Sequence, residues 1–324
     1  MSKRFSSAFA PKIEAMLEYR TARGYKEKSY LPALTKFDGF CLTNFPNTNE
    51  LTNEVVHAWL DEAISEECAF AIPATVIRQL GKYLAALGEN SYILPERFTP
   101  KRSRFTPYIF TDSELSLLFS QIDRLESPTN EPFFSEVAPV LFRLIYTCGL
   151  RPNEGRELKF ENVNLNTGEL LIANAKKSKE RIVLMSDDML GMCRSYDVVR
   201  NVFAKNSVYF FPAYDGGALS SAQIANMLTK AWTRAVGSLE NPLPRSVRVY
   251  DLRHRFASAC LNLWLDEERD LMVMLPYLRA YMGHDRLSET AYYIHILPEN
   301  LVKTSAINWE AFNALLPEVN ICPN

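Results

Sequence analysis

The sequence predicts a mainly α-helical chain with a small β-hairpin or sheet, divided into a helical N-terminal part and a larger mixed α/β part. Three observations carry this. Apolar residues recur at helical spacing through most of the chain, a basic stretch with several prolines interrupts them near residue 100, and two short β-like runs, ELLIANA and RIVLM, flank a lysine-rich turn. At 324 residues the chain is longer than one small domain needs, and a 47% hydrophobic content is enough for a sizeable core.

Residues 8–90 contain four amphipathic runs. IEAMLEYRTARGY closes near Gly24, SYLPALTKFDGFCLTNF breaks after Phe45 at Pro46, VVHAWLDEAI follows, and ATVIRQLGKYLAALG is closed by Gly88. Four short helices with brief connections predict a small bundle. ENSYILPERFTPKRSRFTPYIF, 89–110, has three prolines and no periodicity, so it is expected to be a linker. Its basic half suits a segment lying along a phosphate backbone, with Lys101, Arg102 and Arg104 as candidate contacts. The expected domains are therefore 1–103 and 104–324.

In the second part, Thr111 with Glu114 three residues on predicts a capping box opening TDSELSLLFSQI. Helices are expected at PVLFRLIYTCG and RPNEGREL, then the hairpin, then at DDMLGMCRSYDVVRNVF, SSAQIANMLTKAWTRAV, LRHRFASACLNLWL, LMVMLPYLRAYMG and TAYYIHI. A tail helix around 308–316 carries an apolar stripe, Trp309, Phe312, Leu315 and Leu316, which packs either on its own chain or on a neighbouring copy.

Net charge of −2 and a pI of about 6.2 argue mildly against a nucleic-acid partner. The average hides basic clusters, KRSR at 101–104 and KKSKER at 176–181, and an acidic one, DEAISEE at 61–67. Basic groups gathered on one face bind DNA whatever the net charge. The six cysteines are scattered without a C-x-x-C pair, which is neither a zinc pattern nor a disulfide framework. With no apolar signal core at the N-terminus and no run long enough to span a membrane, a cytoplasmic protein with reduced cysteines is expected.

Individually, the residues that could carry chemistry have ordinary explanations. Arg151, in CGLRPNEGREL, follows a Gly-Leu at a helix end, where arginines commonly cap. Lys176, Lys177 and Lys179 sit on a hairpin turn. YDLRHRFAS puts Arg253 and His254 at an expected helix start, an unusual place for a basic pair because the dipole there prefers anions; it is also where backbone N–H groups bind phosphate. His284 and Tyr293 lie nine residues apart in MGHDRLSETAYY. Together, two arginines, a lysine, a histidine and a tyrosine are the parts needed to attack a phosphodiester without a metal. The tyrosine is the nucleophile, the arginines hold the non-bridging oxygens as charge grows on them, and the lysine protonates the departing oxygen.

At these residues the chain resembles the tyrosine recombinase (phage integrase) family, most strongly over 146–297. The family's G-L-R-x-x-E-x-x-x-L stretch is matched by GLRPNEGREL, so the resemblance implies Arg151 as first catalytic arginine and Glu154 as the acidic residue bracing the site. The family's hairpin lysine is matched at Lys176 in AKKSKERIVLM, with Lys177, Lys179 and Arg181 as nearby DNA contacts; which of the three lysines is the general acid stays open. H-x-L-R-H is matched by YDLRH, implying Arg253 as second arginine with His254 following. MGHDRLSETAYY implies His284 at the third basic position and Tyr293, rather than Tyr292, as nucleophile. One departure is Tyr250, standing where the family usually has a histidine: a phenol with a reference pKa near 10 donates a hydrogen bond to phosphate but is a poor base at neutral pH.

The resemblance implies a helical core-binding domain clamping the duplex against a mixed α/β catalytic domain, and a site-specific recombinase that works through a 3′-phosphotyrosyl link with no metal and no cofactor. It further implies double-stranded DNA recombination sites as partners, a homo-tetramer on DNA and a Holliday-junction intermediate, in a cytoplasmic protein associated with the nucleoid when bound. Two alternatives on the same fold are a type IB topoisomerase-like enzyme and a DNA-binding regulator with impaired catalysis.

Overall fold

The computed structural model describes residues 4–25, 27–65, 71–98, 107–173, 180–237 and 246–296. The chain divides into two compact units between Phe105 and Thr106.

The first unit contains α1 (Ala10–Ala22), α2 (Leu31–Asn44), α3 (Asn53–Ser65) and α4 (Ala71–Ala86). Pro11 and Pro32 stand in the first turns of α1 and α2, where their missing N–H groups would have had no intrahelical partner. The core is an aromatic run, with the Phe9 and Phe37 rings 5.4 Å apart and Phe37 edge-on to Trp59 at 5.2 Å. Buried Asp38 accepts the backbone N–H groups of Ser6 (2.8 Å) and Ser7 (3.0 Å). Buried Arg78 donates to the carbonyls of Leu94 and Pro95 at 2.6 and 2.8 Å, fixing the chain as it leaves the helices. Lys101, Arg102 and Arg104 lie outside the described residues.

The second unit contains α5 (Asp112–Ile122), α6 (Phe134–Thr147), α7 (Pro152–Arg156), β1 (Val163–Asn164), β2 (Glu169–Ile172), β3 (Arg181–Leu184), α8 (Asp187–Phe203), α9 (Ser221–Val236), α10 (Val249–Asp266), α11 (Leu271–Met282) and α12 (Leu287–Ala291). A 3₁₀ turn, Tyr292–Ile296, follows. The Thr111–Glu114 capping box forms in both directions, at 2.8 and 3.2 Å.

The expected hairpin is part of a three-stranded antiparallel sheet, β1-β2-β3. β1 is two residues long, too short to show a period-two pattern. The register pairs Leu170 with Val183 and Ile172 with Arg181. Leu170, Ile172 and Val183 are buried on one face, while Leu171, Ile182 and Leu184 are exposed on the other. The turn carrying Lys176, Lys177 and Lys179 lies outside the described residues, as does the expected tail helix with Trp309, Phe312, Leu315 and Leu316.

Three boundaries differ from the sequence expectation. α6 starts upstream of Pro139, which sits inside it. α10 starts at Val249, because Asp251 accepts the backbone N–H of Arg248 at 2.8 Å and closes the helix N-terminus there. Arg253 is thus the fifth residue of the helix, a full turn inside, and its side chain rather than the helix terminus faces the site. TAYYIHI is not one helix: α12 stops at Ala291 and the chain tightens into the 3₁₀ turn that carries Tyr293.

The second unit has a large apolar core running from Phe110 to Leu252 and a smaller one built from α10, α11 and the segment after α12, including Ala257, Leu275, Met282 and Ile294. Arg253 and His254 fall in the chain between Leu252 of the first core and Ala257 of the second. A buried leucine on either side, Leu252 in the first core and Leu275 in the second, contributes about 1.5–3 kcal/mol by burial, so the polar seam between the two cores is held from both sides. No described helix is long and apolar enough to cross a membrane.

Candidate active site

α6 ends at Thr147 and the chain reverses through Gly149, whose φ of +58° is left-handed. A Cβ there would lie 2.4 Å from the Phe256 ring, so glycine alone fits. The reversal delivers Arg151 to the start of α7 as its N-cap residue. A second left-handed glycine, Gly283 (φ +65°), ends α11 and delivers His284.

The last carbonyls of a helix have no intrahelical partner, and they carry the negative end of its dipole. At the end of α11 they are taken by arginines from three separate places in the chain. Tyr281 O accepts from Arg181 Nε at 2.8 Å, Met282 O from Arg253 Nη2 at 2.7 Å, and Gly283 O from Arg151 Nη2 at 2.5 Å. Arg253, fully buried, also donates through Nη1 to Gly149 O at 2.7 Å.

Glu154 is the shared counter-charge. It accepts the Arg151 backbone N–H (2.8 Å) and Nη1 (2.7 Å), and both terminal nitrogens of Arg181 at 2.9 and 2.7 Å. Arg253 Nη1 stands 3.7 Å from the same carboxylate. Burial works to raise the Glu154 pKa, but the bonds from Arg181 and Arg151 outweigh it and hold it at about 2. Three guanidiniums against one carboxylate leave a formal +3 − 1 = +2 in a largely water-excluded place, which is what a phosphodiester and its more highly charged transition state require.

The geometry fixes the tautomer of His284. Its Nε2 lies 3.0 Å from Arg253 Nη2, and a guanidinium can only donate, so Nε2 accepts. The ring proton therefore sits on Nδ1 and is donated to Thr290 Oγ1 at 2.8 Å. Burial, with Arg253, Arg151 and Arg181 nearby, pushes the His284 pKa down to about 3, so the ring is neutral at physiological pH. Both of its ring nitrogens are engaged within the protein, Nε2 with Arg253 and Nδ1 with Thr290.

Tyr293 is 2% exposed, whereas its neighbour Tyr292 is 36% exposed. The Tyr293 ring is stacked on His284 at 6.0 Å with planes 16° apart, and lies 5.4 Å from the His254 ring. Burial raises its pKa to about 12, although Arg253 beside it pulls the other way. His254 in turn faces Tyr250 at 4.9 Å, and burial next to Arg248 and Arg253 lowers its pKa to about 4. Tyr250 also interacts with Arg151, favouring the charged guanidinium.

Residues far apart in the sequence thus converge: Arg151, Glu154, Tyr250, Arg253, His254, His284 and Tyr293 occupy one seam of the second unit. Arg181 corrects an expectation. The sequence groups it with the DNA contacts of the hairpin, but its guanidinium is turned inward onto Glu154 and Tyr281 and its side chain is 11% exposed. Strand parity holds the signal: Val183 is buried, so Arg181, two residues before it, shares the inward face. Thr290 has no signal in the sequence.

Residues 116–300 match the phage integrase family. The integrase/recombinase designated y4rB of Sinorhizobium fredii is 28% identical over 303 residues, covering 90% of this chain and 94% of that one. The tyrosine recombinase XerC of Actinobacillus succinogenes is 25% identical over 290 residues, covering 88% of this chain and 89% of that one. Among solved structures, the XerH site-specific recombinase bound to its difH substrate after cleavage has a TM-score of 0.61 at 19% identity, over 88% of this chain and 80% of that one. A lambda integrase tetramer bound to a Holliday junction has a TM-score of 0.59 at 14% identity, over 87% of this chain and 76% of that one. A family match over more than half the chain, on the segment that holds every residue of the arginine–histidine–tyrosine cluster, shows that the protein belongs to the phage integrase family.

Proposed function

We propose that the protein is a site-specific DNA recombinase that cuts and rejoins double-stranded DNA through a covalent link to Tyr293. The observation that carries this reading is a buried phenol set against a net-positive cluster of arginines, with Arg253 and Arg151 both near enough to favour its ionised form. In the proposed reaction the Tyr293 oxygen attacks phosphorus, a 3′-phosphotyrosyl bond forms, and the 5′-oxygen leaves as a hydroxyl. Attack by a partner strand's 5′-hydroxyl reverses the step, so bond energy is conserved and no nucleotide is consumed. Arg151 and Arg253 hold the non-bridging oxygens. Glu154 orients Arg151, and neutral His284 orients Arg253. The departing oxygen takes its proton from the lysine turn, with Lys176 first among Lys176, Lys177 and Lys179.

The basic groups at Lys101, Arg102, Arg104, Lys177 and Lys179 are assigned to phosphate contacts outside the reacting bond. Assembly as a tetramer on paired DNA sites is part of the same proposal, by likeness to the lambda integrase tetramer on a Holliday junction, as is action on nucleoid DNA in the cytoplasm.

The test is trapping on a nicked substrate whose cleaved fragment diffuses away. The wild-type chain forms a covalent protein–DNA adduct; Tyr293→Phe binds the same DNA and forms none; Tyr292→Phe, altered at the exposed neighbour, still forms it. An adduct with Tyr293→Phe refutes the assignment. DNA binding with no adduct from the wild type supports the regulator instead, and relaxation of a plasmid lacking paired sites supports the topoisomerase-like enzyme.

A further inference from the structure

Arg181 is the least expected member of the cluster, because its place at the base of a lysine-rich turn suggests a DNA contact. Its guanidinium directs its hydrogen bonds into the protein: Nε to Tyr281 O at 2.8 Å, Nη1 to Glu154 Oε1 at 2.9 Å and Nη2 to Glu154 Oε2 at 2.7 Å. The last two form a bidentate pair, the strongest arrangement open to arginine and carboxylate. Space for it is made by Gly283, where a Cβ would fall 3.0 Å from Arg181 Nη1. Glu154 passes the constraint on, since the Oε1 that takes Arg181 Nη1 also takes Arg151 Nη1 at 2.7 Å, and the Oε2 that takes Arg181 Nη2 also takes the Arg151 backbone N–H at 2.8 Å. Arg151 is otherwise held through its Nη2 by Gly283 O, on the same helix end that Arg181 grips.

We infer that Arg181 is a positioning residue that sets the orientation of the Arg151 guanidinium toward the scissile phosphate, acting through Glu154 and the C-terminal end of α11 rather than by touching DNA. The inference rests on the recombinase reading above. Arg151 is anchored through a carboxylate with four donors on it, two of them from Arg181. Remove those two and Glu154 can rotate, carrying Arg151 off the line of the non-bridging oxygens, where sub-ångström placement governs transition-state stabilisation. Arg181 is also the first residue of β3, close in the chain to the lysine-bearing segment that precedes it. That gives a competing route, through the general acid, which the experiment separates.

The experiment measures single-turnover adduct formation at saturating DNA for wild type, Arg181→Lys and Arg181→Met on three nicked substrates: an ordinary phosphodiester, a scissile methylphosphonate, and a 5′-bridging phosphorothiolate. Wild-type adduct on the first is the control for the recombinase reading itself. The expected result is a rate lower by roughly 10- to 100-fold on the ordinary substrate, by analogy with the loss when a group that orients a metal ligand is removed. DNA affinity and its salt dependence should stay unchanged. The loss should shrink on the methylphosphonate, which has one charged oxygen fewer to stabilise, and persist on the phosphorothiolate, whose thiolate leaves without a proton. Weaker binding with a flatter salt slope and a normal saturated rate would mean that Arg181 contacts DNA. Rescue by the phosphorothiolate would mean that it works through the lysine. If neither Arg181 variant folds, Glu154→Gln must show the same methylphosphonate signature, and its absence overturns the inference.

Discussion

Glu154→Gln is the change that most directly tests how the cluster is held. The side chain keeps its shape and one acceptor oxygen but loses the carboxylate that stands within salt-bridge reach of Arg151, Arg181 and Arg253, at 2.7, 2.7 and 3.7 Å. The folded environment lowers the carboxyl pKa from 4.5 to about 2; at 1.36 kcal/mol per unit this corresponds to about 3 kcal/mol favouring the ionised form. The penalty for breaking a buried ion pair from one side, about 3–5 kcal/mol, is of the same size. The sign follows from the depressed folded pKa. This stabilisation is fully present above the unfolded value near 4.5 and is lost as pH falls toward about 2. Urea denaturation of both proteins should therefore show Glu154→Gln less stable by about 3 kcal/mol at pH 7, with the gap closing as pH drops below about 4.5. Comparing the gap rather than either curve cancels the acid sensitivity of His254 and His284, common to both chains. A gap that stays constant from pH 7 to pH 3 would refute the reasoning, because it would show that shape and not charge is what Glu154 contributes.

Other substitutions probe separate links. Thr290→Val leaves the His284 Nδ1–H without its buried acceptor and should cost about 1–3 kcal/mol, while Thr290→Ser should not; urea denaturation measures both, and equal stabilities would mean the ring proton is elsewhere. Gly149→Ala forces a left-handed residue and a Cβ into the Phe256 ring, and should lower stability by about 2–4 kcal/mol in a thermal or urea melt. Tyr250→His restores an imidazole facing His254 and next to Arg151; adduct formation should become faster and rise with pH as the ring loses its proton, with a midpoint below the reference value of about 6.5 because the neighbouring arginine disfavours the charged ring, and an unaltered pH–rate profile would show that this position does not take the nucleophile's proton.

Much of the site is legible in the sequence because its chemistry is carried by short local strings. GLRPNEGREL, YDLRH and MGHDRLSETAYY each place a reactive side chain next to the turn or helix that aims it, and local rules of glycine, capping and period read such strings well. The helices of the first unit and the Thr111–Glu114 cap are legible for the same reason, since each depends on residues three or four apart. What tertiary structure alone decides is where side chains direct their hydrogen bonds. Strand parity places Arg181 on the inward face, but it is 27 residues from Glu154 and 100 from Tyr281, so no local pattern links it to either, and only packing of β3 beside the end of α11 makes them its partners. The proton position on His284 likewise depends on Arg253, 31 residues away, which can only donate and so leaves the imidazole one arrangement. Sequence names the charged groups; the low dielectric and fixed distances of the folded seam determine which remain charged, which stay neutral, and which hold the others in place.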